Sequence, residues 1–322
     1  MNVYIPSMYR TKKVSGKEFF CKRLGRALKD IGVNVVKSEF EKYDIKLLAG
    51  LTKKRDSAKV VFRADGVYNN VKVKYENLNR RIEKTIGFSD AIIYQSKFSK
   101  VMCEKYIGKF KGQTETIFNG FDPLRYVDIA SFNSKYKYNF LTSARWRPHK
   151  RLRDIIKSFA LANIDDSCLY IAGDISDCGV SDSRINFYKN KFKNIIFLGE
   201  LNQEKLSSYV KMCDCFIHLC WQESCPNGVI EAIAASKPVI TNNVGGTHEI
   251  VRPSGGIVCE IDKKYNLEIC DLYNPPKVCH QIVADAMRKV VSSDISISNY
   301  HINIKSIAEQ YLSFFEKVLS EK

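Results

Sequence analysis

The chain has 322 residues, 45% hydrophobic and 27% charged, with a net charge of +16. That length supports two ordinary domains, and the balance excludes a disordered chain. No apolar run approaches the ~20 residues of a membrane helix, and the opening MNVYIPSMYRTKK lacks the apolar core of a secretory signal.

Eleven cysteines occur without a CxxC pair, so they are expected to be small buried apolar residues in a reducing compartment. A cytoplasmic protein is the expectation. Residues 1–130 hold 27 Lys/Arg against 14 Asp/Glu, whereas residues 131–322 hold 24 against 21. A basic half beside a nearly neutral one points to an anionic partner for the first half: nucleic acid, an acidic membrane surface or an anionic substrate. A solvated lysine-rich face is the plainer alternative.

In chain order, a strand at Val3–Ile5 leads to a turn at Ser15-Gly16. The periodicity then predicts a helix over Lys17–Ile31 and a strand over Val33–Val36. A strand at Lys59–Phe62, a helix around Asn77–Ile86, a strand at Ala91–Tyr94, a helix at Lys97–Tyr106 and a strand at Thr114–Phe118 follow. Pro123–Asn139 reads as a linker. Beyond it come strands at Phe140–Ser143, Cys168–Ala172, Ile195–Leu198 and Cys215–Leu219, helices at Leu152–Ala162 and Gln203–Met212, and an amphipathic helix over Ile304–Leu319. Continuously apolar strands alternating with helices predict parallel sheets covered on both faces. Ligands of such sheets bind beyond the carboxyl ends of the strands.

Two stretches carry chemistry there. In WQESCPNGVIEAIAASKPVI (Trp221–Ile240), Glu223 falls in the loop after a strand, and Asn227 is predicted to cap a helix over Gly228–Ser236. Glu231 falls near the end of its first turn, at the same mouth. The backbone N–H groups of Asn227, Gly228 and Val229 between them offer an anion site, with Gly228 allowing close approach. Two carboxylates flanking a phosphate suit hydroxyls, one ribose and one sugar. Taken singly, Glu231 reads as helix-dipole stabilisation and Glu223 as a solvated loop carboxylate. In SARWRPHKR (Ser143–Arg151), Arg145 and Lys150 are placed to neutralise a diphosphate, with Arg147 and Arg151 assigned to solvent. His149 and His248 read as polar loop residues.

The spacing E-x7-E at Glu223–Glu231, with R-x4-K at Arg145–Lys150, resembles the retaining family 4 glycosyltransferases, or glycosyl transferases group 1. YIAGD (Tyr170–Asp174), IIFLGEL (Ile195–Leu201), KPVITNNVGGTHEIV (Lys237–Val251) and Gly255-Gly256 continue the match in order. In the first half SDAIIYQSKFSK (Ser89–Lys100) and IFNGFDP (Ile117–Pro123) join it, so the resemblance runs from about Phe62 to Val258. It implies an α/β GT-B fold, two doubly wound Rossmann-like domains facing across a cleft. The acceptor-binding domain would cover 1–130, with the helix 304–319 packing back on it, and the donor-binding domain 138–300.

The resemblance further implies Arg145, Lys150, Asn227, Gly228 and Val229 on the donor diphosphate and Glu231 on the ribose. Glu223 would be catalytic at the donor sugar. Gly199, Glu200 and Leu201 would lie beside the base, and Ser15-Gly16 would form the acceptor and phosphate loop. No metal or cofactor is implied; a UDP- or GDP-linked sugar is the donor substrate. The acceptor would be a glycan or a lipid-linked molecule. Apart from the resemblance, the charge of the first half suggests that the basic helix Lys17–Ile31 makes peripheral contact with an anionic membrane to reach such an acceptor.

The chain departs from the pattern where Ser15 replaces a glycine, where Ser224–Asn227 replaces a Gly-Phe-Gly-type run, and in having no histidine before His149. Asp65 in FRADGVY is the substitute for the missing first-half histidine, a turn aspartate before Gly66 being the alternative. Three other readings compete. A dinucleotide-dependent oxidoreductase lacks its G-x-G-x-x-G. A nucleic-acid-binding protein would leave the second half unexplained. An inactive nucleotide-binding relative is the third.

Overall fold

The computed structural model describes residues 1–10, 15–52, 54–262 and 265–321. The chain forms two compact units, Met1–Asp122 with Tyr300–Lys322, and Pro123–Asn299.

The first unit is built from β1 (Asn2–Tyr4), α1 (Gly16–Asp30), β2 (Asn34–Val36), β3 (Ile45–Leu48), β4 (Lys59–Ala64), α2 (Tyr75–Gly87), β5 (Ala91–Tyr94), α3 (Lys97–Tyr106) and β6 (Gln113–Thr116). The second holds β7 (Tyr138–Ser143), α4 (Leu152–Ala162), β8 (Ser167–Ala172), α5 (Asp182–Lys191), β9 (Ile195–Gly199), α6 (Gln203–Met212), β10 (Cys215–His218), α7 (Asn227–Ala234), β11 (Val239–Asn242), α8 (Thr247–Ser254), β12 (Ile257–Cys259) and α9 (His280–Ser292). The last helix, α10 (Ile304–Ser320), returns to the first unit.

The first unit's sheet is parallel, in the order β2-β1-β3-β4-β5-β6. Every residue of β3 and β5 is buried, as helices on both faces require. Ser15 starts α1 through a capping box: its N–H donates to Glu18 Oε2 at 2.9 Å, and its hydroxyl donates to the same oxygen. Phe20, Leu24 and Leu28 on α1 are fully buried, and Phe20 meets Tyr311 of α10 with ring centroids 6.2 Å apart. The expected membrane contact of this helix therefore cannot use its apolar face, which lies in the core.

The second sheet is also parallel, in the order β12-β11-β10-β7-β8-β9. The chain runs outward from β7 to β9, then crosses to β10 on the other side and runs outward again. The loops after β7 and β10 thus meet at the point where strand order reverses, the place where doubly wound sheets bind ligands. Among the described residues no helix is long and apolar enough to cross a membrane.

Candidate active site

At that reversal point the structure brings Lys150 and Glu223 into contact. Lys150 follows β7 and a short 3-10 turn (Pro148–Lys150), and its Nζ donates to Glu223 Oε2 at 2.6 Å. His218, the last residue of β10, places Nε2 2.7 Å from the same oxygen. Burial would raise the Glu223 carboxyl, but Lys150 and the His218 hydrogen bond outweigh it and hold it well below the usual carboxylate range. Burial works against the charge of Lys150, but the ionised Glu223 beside it more than restores it, leaving Lys150 above an ordinary lysine. The pair is charged on both sides. Glu223 is therefore not the free loop carboxylate of the plainer reading.

The backbone around Glu223 is equally fixed. Gly246 N–H donates to Glu223 O at 2.7 Å. Gly245 takes φ +79, and a Cβ there would stand 2.8 Å from the same carbonyl oxygen. Only glycine lets the loop after β11 lie this close. Gln222, just before Glu223, holds a left-handed φ of 66.

His218, Cys220 and Glu223 offer nitrogen, sulfur and oxygen donors within 4.8 Å of one another, a set of the kind zinc takes. The cation already seated there is the Lys150 ammonium. Burial pushes the Cys220 thiol up from its ordinary value.

A cavity of about 560 Å³ opens at the ends of β7, β8 and β9, lined by Arg145, Asp174, Glu200 and Leu201 among others. Its wall depends on Gly173, where a Cβ would meet Ala144 O at 1.9 Å. The structure so unites Arg145 with two of the three base-proximal candidates; Gly199 is the final residue of β9 and does not line the cavity.

Two expectations are corrected. Arg151 is not solvated: it is buried, in the left-handed region at φ 58, and forks onto Asp262 at 2.8 and 2.5 Å. Asn227 does not cap α7. Pro226 is the N-cap, without a side-chain hydrogen bond, and Asn227, Gly228 and Val229 form the first turn itself. Glu231 consequently opens the second turn rather than closing the first, and it is 7% exposed.

The segment 128–288, half of the chain, matches the model of the family "Glycosyl transferases group 1". The chain belongs to that family. An uncharacterized glycosyltransferase of Methanocaldococcus jannaschii, MJ1059, is 26% identical over 192 residues, covering 55% of this chain and 46% of the relative. The match thus spans less than half of that relative's length. Sucrose-phosphate synthase from Thermosynechococcus elongatus superposes with a TM-score of 0.72 at 13% identity, covering 100% of this chain and 99% of that one. Anabaena Alr3699/HepE, solved with UDP and glucose, gives 0.67 at 14% identity, covering 98% and 99%. The fold is GT-B, with two parallel-sheet Rossmann-like domains.

In the first unit of this group 1 glycosyltransferase, Asp65 lies just beyond β4 in a cavity of about 370 Å³ lined also by Lys17, Leu51, Arg63 and Tyr68. Arg63 Nη1 donates to Asp65 Oδ1 at 2.5 Å, and Gln95 Nε2 donates to the same oxygen. Arg63 is itself buried, stacked 4.5 Å over the Phe20 ring, with its other fork on Asn119. Half of the Asp65 side chain stays exposed. Ser15 and Gly16 start α1 in the same unit, with the Ser15 hydroxyl committed to Glu18.

Sequence reading missed His218, Cys220, Arg63 and Gln95. For His218 the signal was available: it lies in a predicted strand, Cys215–Leu219, five positions before a singled-out glutamate.

Proposed function

We propose that this glycosyltransferase moves a sugar from a nucleotide-diphosphate sugar to a hydroxyl acceptor, with retention of configuration and without a metal. The observation that carries the reading is the Lys150–Glu223–His218 cluster at the point of strand reversal, beside the Arg145 cavity. A lysine ammonium has three N–H groups. One on Glu223 leaves others for a donor phosphate, so Lys150 joins the carboxylate that orients the sugar to the leaving group. As the glycosidic bond breaks, charge grows on the diphosphate, where Lys150, Arg145 and the first-turn N–H groups of α7 stabilise it without reorganising.

In this reading Glu223 remains ionised and hydrogen-bonds the donor sugar. His218 keeps its carboxylate oriented while Lys150 is shared with phosphate. Glu231 takes the ribose, and Glu200 and Leu201, with Gly199, flank the base. Asp65, steadied by Arg63 and Gln95, orients the acceptor hydroxyl. HepE was solved with UDP and UDP-glucose, which favours a UDP-linked donor here; GDP is the alternative.

The test is thermal stabilisation by UDP, GDP, ADP and CMP with chelator present, in the natural protein and Lys150→Ala. Stabilisation by one diphosphate, lost in the variant, is expected. A shift that requires added metal, or none with any nucleotide, overturns the proposal.

A further inference from the structure

The charge excess of residues 1–130 has no role in the donor chemistry. One part of it is organised. A second cavity of the first unit, about 540 Å³, is lined by Leu51, Thr52, Arg81, Lys84 and Phe88. It adjoins the Asp65 cavity, for Leu51 walls both. Arg81 and Lys84 stand one turn apart on α2, and neither has an ion-pair or hydrogen-bond partner for its side chain among the described residues. Some other cations of this unit are paired, such as Lys46 with Asp56 at 2.7 Å and Arg55 with Asp90 at 3.3 Å.

Beneath the two cations the lining is apolar, and Leu51 is 43% exposed in spite of it. The rim is held rather than loose. Thr85, fully buried, accepts the Thr52 N–H at 3.2 Å and donates to Arg81 O at 3.0 Å, tying the loop after β3 to α2.

We propose that this cavity binds an anionic amphiphile, its phosphate on Arg81 and Lys84 and its apolar chain on Leu51 and Phe88. Resting on the glycosyltransferase reading, the same molecule is the acceptor, its hydroxyl-bearing head passing Leu51 to reach Asp65. The paired chemistry excludes simpler ligands. A free phosphate makes no use of Leu51 and Phe88, and exposed cations alone hold an anion weakly. A neutral glycan leaves both cations idle.

The experiment is calorimetric titration of the full chain with dodecyl phosphate below its micelle-forming concentration, compared with inorganic phosphate and dodecyl glucoside. Dodecyl phosphate is expected to bind, to weaken at least about tenfold in Arg81→Gln/Lys84→Gln and in Leu51→Asp, and to be unchanged in Lys22→Gln/Arg26→Gln. Equal weakening in that last control, inorganic phosphate binding as tightly, or no binding at all overturns the site. Vesicles of phosphatidylglycerol separate the sources: capture by vesicles without binding of the monomer overturns the single-molecule cavity in favour of surface attachment. UDP stabilisation is followed on the same samples. Its loss in the natural protein with dodecyl phosphate binding intact sinks the glycosyltransferase reading and leaves the cavity; the converse sinks only the cavity.

Discussion

The two units hold their candidate carboxylates, Glu223 and Asp65, in opposite ways. In the second, Glu223 is clamped by Lys150 and His218 on one oxygen and by Gly246 through its backbone. In the first, Asp65 is steadied on one oxygen by Arg63 and Gln95 and stays half open to solvent. Glu223 is thus fixed by its own unit, whereas Asp65 keeps room for adjustment. Under the proposed function, a clamped carboxylate suits a donor sugar that must be held in one pose. An open one suits an acceptor hydroxyl whose position varies.

The largest effect should come from removing the second unit's internal clamp. Arg151→Ala leaves Asp262, 8% exposed, without its forked partner, which typically costs about 3–5 kcal/mol. Denaturant unfolding should then show the second unit melting ahead of the first; a single unshifted transition would show that the Arg151–Asp262 pair does not hold that unit together.

Next, Glu223→Gln keeps the shape but removes the charge. It is expected to lower turnover about 10²- to 10³-fold with nucleotide-diphosphate affinity retained, read by steady-state kinetics beside titration. His218→Leu should move turnover in the same direction, and His218→Gln, which keeps an N–H, should recover most of it.

A pH effect comes third. Burial, then the charge of Lys150, pulls His149 down to about 4. Its folded value lies below the unfolded one, so the stability it confers is complete above about pH 6.5 and is lost as pH falls towards 4. Melting curves across that range should decline by up to about 3 kcal/mol, a slope that His149→Asn removes. The smallest effect sharpens the first unit: Ser15→Ala should cost about 1 kcal/mol by opening the capping box, seen as a small drop in Tm.

Legibility in the sequence followed the same division. Helices with a clean apolar stripe came out with the observed bounds, as in Lys97–Tyr106, Leu152–Ala162 and Gln203–Met212. Strand β3 was unread because IKLL is too short to separate from its loop, and α5 because only Ile185 and Tyr188 of its ten residues are buried. Lys150 and Glu223 were legible because each lies in a local motif. Their contact was not, since it joins residues 73 apart. Arg63 and Gln95 carry no motif; they matter only because β4 and β5 pair in register. Arg151 was misjudged because charge alone suggested solvent, while its partner lay 111 residues on.

The return of α10 has a consequence for synthesis. Ile304, Ile307, Ala308, Tyr311, Phe314, Phe315 and Val318 are all buried in the first unit's core, against residues as early as Val3. On the ribosome that core stays open until the whole second unit and α10 have been made. The second unit, contiguous from Pro123 to Asn299, has every strand and helix it needs earlier. Folding during translation is therefore expected to run against chain order, with the earlier half waiting on a helix nearly three hundred residues downstream and leaning on chaperones in the interval.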